Sequence, residues 1–241
     1  MRNILLIARR DLSGFMHGFG GYAIVAAVLA IDGLLFNAFA MGSTAKYSHD
    51  VLRDFFYICS GTTMIASVML TMPSFAEERA RGTDVLLSTS PVRDGEIVLG
   101  KYLASYTMLS VLTLLTFYMP LLVMYNGKVS AAHIVVGYLG LFGLGAATTA
   151  IGVFTSSLVR NQFAAGLLAG VGVVSLLICW LLAEIVEAPL TDVVSYMSLF
   201  DKHFLPFQEG RLLLTGLVYY SSVSALFLWF TTKVVEGRRL S

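Results

Sequence analysis

Apolar runs separated by short polar connections organise this chain, and the runs are close to the roughly 20 residues that a bilayer-spanning helix needs. Six stretches qualify: Tyr22–Ala40, Phe55–Phe75, Tyr102–Tyr125, Ile134–Val159, Phe163–Ala183 and Leu212–Thr232. The first contains Asp32, and the other five contain no Asp, Glu, Lys or Arg. No stretch alternates with a period of two, as a membrane barrel would, so the pattern predicts a helical bundle. Ahead of the first span, Ile4, Ala8, Leu12, Phe15 and Met16 fall on one helical face, while Asn3, Arg9, Arg10 and Ser13 lie largely elsewhere. Residues 1–18 are therefore expected to form an amphipathic helix in the headgroup layer, with a frayed tail as the alternative. The predicted fold class is an all-α membrane protein: one domain, 1–241, of six transmembrane helices behind an N-terminal interfacial helix.

Charge orients the bundle. Arg2, Arg9, Arg10, Arg79, Arg81, Arg93, Lys101, Arg160, Lys233, Arg238 and Arg239 would share one side. Only Lys46, Arg53, Lys128, Lys202 and Arg211 would lie on the other. The richer side is expected in the cytoplasm, with both termini, in a bacterial inner membrane. The chain is 57% hydrophobic and 13% charged, and its net charge of +1 offers no basic stripe for nucleic acid. "ARRDLSGF" followed by Ala38-Phe39-Ala40 imitates a twin-arginine signal. A long run containing Asp32, with five further spans behind it, argues against cleavage. Cys59 and Cys179 lie inside apolar runs and read as small packing residues.

The most informative polar stretch joins spans two and three: "SFAEERARGTDVLLSTSPVRDGEIVLGKYLAS", Ser74 to Ser105. Within it, "GEIVLGKY" approaches the phosphate-cradling pattern G-x-x-x-x-G-K-[ST]. Tyr102 stands where Ser or Thr should reach Mg²⁺, and no strand–turn–helix context surrounds it. Gly100 and Lys101 instead read as the re-entry into the membrane, with Lys101 snorkelling to the headgroups. After Glu77, Glu78, Arg79 and Arg81, Gly82 breaks the helix. Thr83 is positioned to N-cap a short helix through Val85, Leu86 and Leu87 that Pro91 ends, and Gly95 permits the turn back. Such an apolar helix held outside the bilayer suits a cleft on a soluble partner, where an ordinary solvated loop would leave it exposed.

The pattern Glu78-x-x-x-Gly82-Thr83, Leu87, Pro91, Gly100-Lys101 resembles the loop of ABC-2 type permeases. "GGYAIVAAVLAIDGLLF" and the carboxyl-terminal "FLPFQEGRLLLTGLVYYSSVSALFLWFTTKVVEGRRL" look like small permeases linked to gliding motility and copper-enzyme maturation. The resemblance implies a permease subunit that pairs with a second copy or a related permease. Each copy would carry a separate ATP-binding cassette subunit on its 76–101 loop, through Glu77, Glu78, Gly82, Thr83, Leu86, Leu87 and Pro91. ATP and Mg would be bound by that partner, and no cofactor by this chain. The resemblance also implies that 184–211 forms short re-entrant or interfacial helices making an outer gate, with Phe200, Phe204, Pro206, Phe207 and Gly210. On physical grounds alone, a loop lying on the headgroups fits the same residues.

Asp32 should face protein or water, because a lone carboxylate in lipid costs about 2.5–3.5 kcal/mol. It could line a pathway or sit hydrogen-bonded between helices. Span four carries Gly137, Gly140, Gly143, Gly145, Ala146 and Ala147, and span five carries the pair Gly166 and Gly170. Both spans are therefore expected to be packed inside the bundle, whether within one chain or at a seam between two copies. The four histidines are scattered and no hydrolase, metalloprotease or C-x-x-C motif occurs, so an enzyme is not expected. Two other functions compete with an exporter. A mechanical scaffold would use the same ATP-driven dimer without moving solute. A secondary carrier is disfavoured by the missing internal repeat and paired intramembrane charges.

Overall fold

The structure, a computed structural model, describes residues 2–42, 46–83, 92–186 and 190–239. No strand occurs among them. The helices are α1 (Arg2–His17), α2 (Phe19–Leu35), α3 (Ser48–Thr71), α4 (Pro73–Ala80), α5 (Asp94–Leu115) and α6 (Tyr118–Asn126). They continue as α7 (Ala131–Leu158), α8 (Gln162–Ile185), α9 (Leu190–Tyr196), α10 (Leu205–Gln208) and α11 (Leu214–Arg239). A π-helical segment, Phe36–Met41, prolongs α2 until Gly42 ends it at φ 57°.

Six helical units are long and apolar enough to cross a bilayer: Phe19–Met41, Ser48–Ala80, Asp94–Tyr125, Ala131–Leu158, Gln162–Ala183 and Leu214–Arg239. They coincide with the six expected spans, and most run further at one end or both, because helices continue past the apolar run where caps allow. Ser130 and Asn161 accept from the amides of Ala132 and Phe163, fixing the starts of α7 and α8. The second span reaches Ala80 because Pro73 bends the helix into α4 without ending it.

α7 is the central post, packed against α3, α4, α5, α8, α10 and α11. Its small residues explain this closeness. A Cβ added at Gly137 would lie 2.1 Å from the Phe56 ring, at Gly143 2.7 Å from Tyr220, and at Gly152 2.0 Å from the Thr71 hydroxyl. The expected interior position of span four therefore holds. Span five differs: α8 leaves Leu167, Val171 and Val174 exposed, and Gly170 has open space beyond it, although Gly166 packs on Met72. One small-residue pair does not bury a helix whose other faces are large and apolar.

α1 lies along α5, with Ile7 buried against Gly100, whose added Cβ would meet Ile7 at 2.8 Å. The face turned to the bundle carries Asn3, Ile4, Ile7, Ala8, Asp11, Leu12 and Phe15, while Leu5, Leu6 and Met16 are exposed. This face is rotated from the expected one, which included Met16 and omitted Ile7. It also carries two polar side chains that amphipathic patterning alone would have placed outside.

At the end of the bundle opposite the loop, 190–210 folds back as α9, a turn and α10. Phe204 and Phe207 are fully buried, and the Leu199 amide donates to the Leu176 carbonyl on α8.

Candidate functional site

The loop-bearing end of the bundle is built from the Pro73 bend. Proline leaves the first amides of α4 without helical partners, and the Ser156 hydroxyl on α7 accepts from both Phe75 N (3.0 Å) and Ala76 N (3.1 Å). The same hydroxyl donates to the Met72 carbonyl at 3.0 Å. Arg79 donates to the carbonyls of Ser157 and Val159, at the negative end of α7. α4 then ends in a Schellman turn: Gly82 N donates to Arg79 O (3.2 Å) and Thr83 N to Glu78 O (2.9 Å), with Gly82 at φ 69°. The expected helix break at Gly82 is therefore present. The Thr83 hydroxyl donates back to the Glu78 carbonyl at 3.2 Å, and the short helix it was expected to cap lies outside the described residues. Leu86, Leu87 and Pro91 lie outside the described residues.

The returning chain corrects two expectations. α5 begins at Asp94, so Gly95 and Gly100 are helical and the turn precedes them. Lys101 does not snorkel. Its side chain is only 1% exposed, because α1 covers the face of α5 that carries it. The Lys101 ammonium lies 2.8 Å from Glu78, 3.3 Å from Asp11 and 2.6 Å from the Ser74 carbonyl, with the Phe75 ring 5.0 Å away. Arg10 closes the cluster, 2.8 Å from Asp11 and 2.7 Å from Glu78. Burial alone would lower the Arg10 pKa, but Asp11 and Glu78 hold it above its ordinary value. Glu78, expected to face a soluble partner, thus points inward as the hinge pin of a four-residue clasp joining α1, α4 and α5. Glu77, on the neighbouring side, pairs with the more exposed Arg81 at 2.6 Å.

The other stump of the loop is tied as well. Arg239 at the end of α11 reaches Asp94 at 3.2 Å and the Val92 carbonyl at 3.1 Å. Asn3 on α1 donates to Glu96 at 3.2 Å. Arg10, Asp11, Asn3 and Arg239 were missed as site residues. Only the i, i+4, i+8 spacing of Asn3, Ile7 and Asp11 hints that polar groups share the buried face.

The remaining sequence-predicted residues lie apart from the clasp. Asp32 is buried within the bundle, 2% exposed, beside Thr62, and its Oδ1 has no hydrogen-bond partner among the described residues. At the opposite end, Phe200 packs on Phe204 with ring centroids 5.4 Å apart, and Phe207 fills the space at Gly140 and Gly216. Pro206 sits in the first turn of α10, and Gly210 turns at φ 77° against the His133 ring. Two tyrosines of α11 hold this segment down, Tyr219 through Met197 O (2.6 Å) and Tyr220 through Leu199 O (2.8 Å).

Six long apolar helices, with α1 packed on α5 and an ion-paired loop stem, define a multi-pass membrane protein. The model of the family described as ABC-2 family transporter protein matches residues 23–233, and the chain belongs to that family. It is a membrane permease subunit of an ABC exporter, whose ATPase is a separate protein. The match is to the family as a whole and leaves α1 outside it. No curated protein matches the chain.

Proposed function

We propose that the ATPase subunit docks on the 76–101 loop and drives this permease through the clasped stem. The carrying observation is that both stumps of the loop are bonded to transmembrane helices: Glu78 and Arg79 to α5 and α7, Asp94 to α11. A push on a loop hinged this way moves helices rather than dissipating in a flexible linker, and ATP-dependent contact with the loop would bias the two states. ATP and Mg belong to the partner. The loop then lies in the cytoplasm with both termini, in a bacterial inner membrane. A second copy or a related permease completes the pathway. The groove of 960 Å³ along α8, bordered by Met72, Phe163, Gly166, Gly170, Val174 and Ile178, supplies an apolar wall for it.

The test is purification of the tagged chain from native membranes in mild detergent, with ATP hydrolysis assayed in the eluate. A stoichiometric ATPase should co-purify. Gly82→Val, which forces a β-branched residue to positive φ, should uncouple hydrolysis from function while the chain remains in the membrane. A chain that elutes alone and works without ATP would refute this reading.

A further inference from the structure

Beside the clasp lies a cavity of 590 Å³, within the size range of small-ligand sites. It is a half-open cleft bordered by α1, the start of α2, the α3–α4 bend, α5 and the start of α8, where the apolar spans give way to charged residues. One wall is apolar: Phe15, Ile24, Met69 and Pro73. The other carries Arg10, Arg81 and Lys101 against Asp11, Glu77 and Glu78, three cations facing three carboxylates. Gly14 and Gly20 also border the cavity, and a Cβ on either would meet nothing within 4 Å.

This two-toned lining has a specific chemical complement. An apolar ligand would leave a charged wall desolvated, and a purely anionic one would add uncompensated charge to a neutral set. A molecule that carries a cation, an anion and hydrocarbon extends the alternating charges and covers the apolar wall. We propose that the cavity holds the headgroup of phosphatidylethanolamine from the leaflet on the loop side. Its phosphate lies against Arg10 and Arg81, and its ammonium, with N–H donors, lies against Glu77 and Glu78. Its acyl chains run along Phe15, Ile24 and Met69. Both arginines keep 52% and 71% exposure while paired with Asp11, Glu78 and Glu77, so a phosphate would share them as the ammonium takes up the same carboxylates. The lipid would wedge between α1 and the loop stem and brace the clasp. Binding is a property of this chain by itself, so its failure is separable from failure of the ATPase reading.

The test is native mass spectrometry of the purified full-length chain, delipidated and then offered phosphatidylethanolamine, phosphatidylcholine and phosphatidylglycerol at equal concentration. The expected result is one retained phosphatidylethanolamine per chain, at least about tenfold over phosphatidylcholine, whose trimethylated head cannot donate hydrogen bonds. Gly14→Leu and Gly20→Leu add bulk at the cavity's border with no clash at Cβ and favour helix, so the chain should fold and lose the lipid. Gly61→Leu, equally unobstructed but remote from the cavity, should keep it. Glu77→Gln should narrow the preference over phosphatidylcholine. Equal retention of phosphatidylcholine, preference for phosphatidylglycerol, or binding unchanged by both filling variants would each overturn the proposal.

Discussion

Lys101→Met cuts the clasp at its centre while keeping side-chain length and removing the charge. Removing one partner of a buried ion pair costs about 3–5 kcal/mol, chiefly because the other charge is left without compensation. Here the cost is smaller for a geometric reason. Asp11 and Glu78 keep 17% and 22% exposure, and Arg10 stays within 2.8 Å of one and 2.7 Å of the other. Neither carboxylate is orphaned, so the loss falls to about 2–3 kcal/mol, between the buried and surface cases. The Ser74 carbonyl loses its 2.6 Å donor as well. For a chain of this length, each kcal/mol moves the melting temperature by about 2–4 °C, so the variant should melt roughly 4–12 °C lower.

The assay heats aliquots of detergent-solubilised protein and measures the monodisperse fraction by fluorescence-detected size exclusion. Glu78→Gln in the parent and in the Lys101→Met background completes a double-mutant cycle. The coupling should exceed about 1 kcal/mol, since the two groups touch at 2.8 Å. Lys101→Arg restores charge but brings a planar head into a site built for an ammonium, so it should recover only part of the loss. A Lys101→Met chain that melts with the parent would show that the lysine is dispensable and that α1 and α4 are held by apolar packing alone.

Two further outcomes follow from the packing. Gly152→Ala places a methyl 2.0 Å from the Thr71 hydroxyl between two central helices and should cost about 1–3 kcal/mol, read in the same melts. At the opposite end, burial holds the His203 pKa below its ordinary value, with Lys202 adding to the depression against the Tyr196 carbonyl that accepts from its ring. The folded state thus prefers neutral His203. Its stabilising effect is complete above the ordinary value of about 6.5 and is lost as pH falls below that toward the folded pKa. Amide exchange across 190–210, corrected for intrinsic rates, should accelerate on acidification, and His203→Phe should remove that acceleration. Unchanged exchange at acid pH would refute it.

The six spans were legible because membrane insertion leaves its mark on composition: a run of about 20 apolar residues has few alternative fates. The interior place of span four was legible for a similar reason, since glycines at 137, 140, 143 and 152 admit Phe56, Phe207, Tyr220 and Thr71 against the backbone. On α8 the same logic is met only in part within one copy, where Gly166 meets Met72 but Gly170 faces open space. Spacing shows that a helix could be approached, not that a neighbour approaches it.

Lys101 marks the sharper limit. A lysine at the end of an apolar run snorkels by default, because its own helix offers nothing better than the headgroups. What reverses this default is a helix 90 residues earlier in sequence, packed along α5 so that Asp11 comes within 3.3 Å of the ammonium, with Glu78 of α4 at 2.8 Å. Neither carboxylate is distinctive in its own segment: each reads as one charge among several beside a membrane. Once the three segments converge, the lysine is sealed, and its two carboxylates with Arg10 form a unit whose charges balance only together. Such a unit resists partial opening, because withdrawing any one segment exposes a buried charge. Under the docking proposed above, that property would suit the root of a loop through which an ATPase pushes on the bundle.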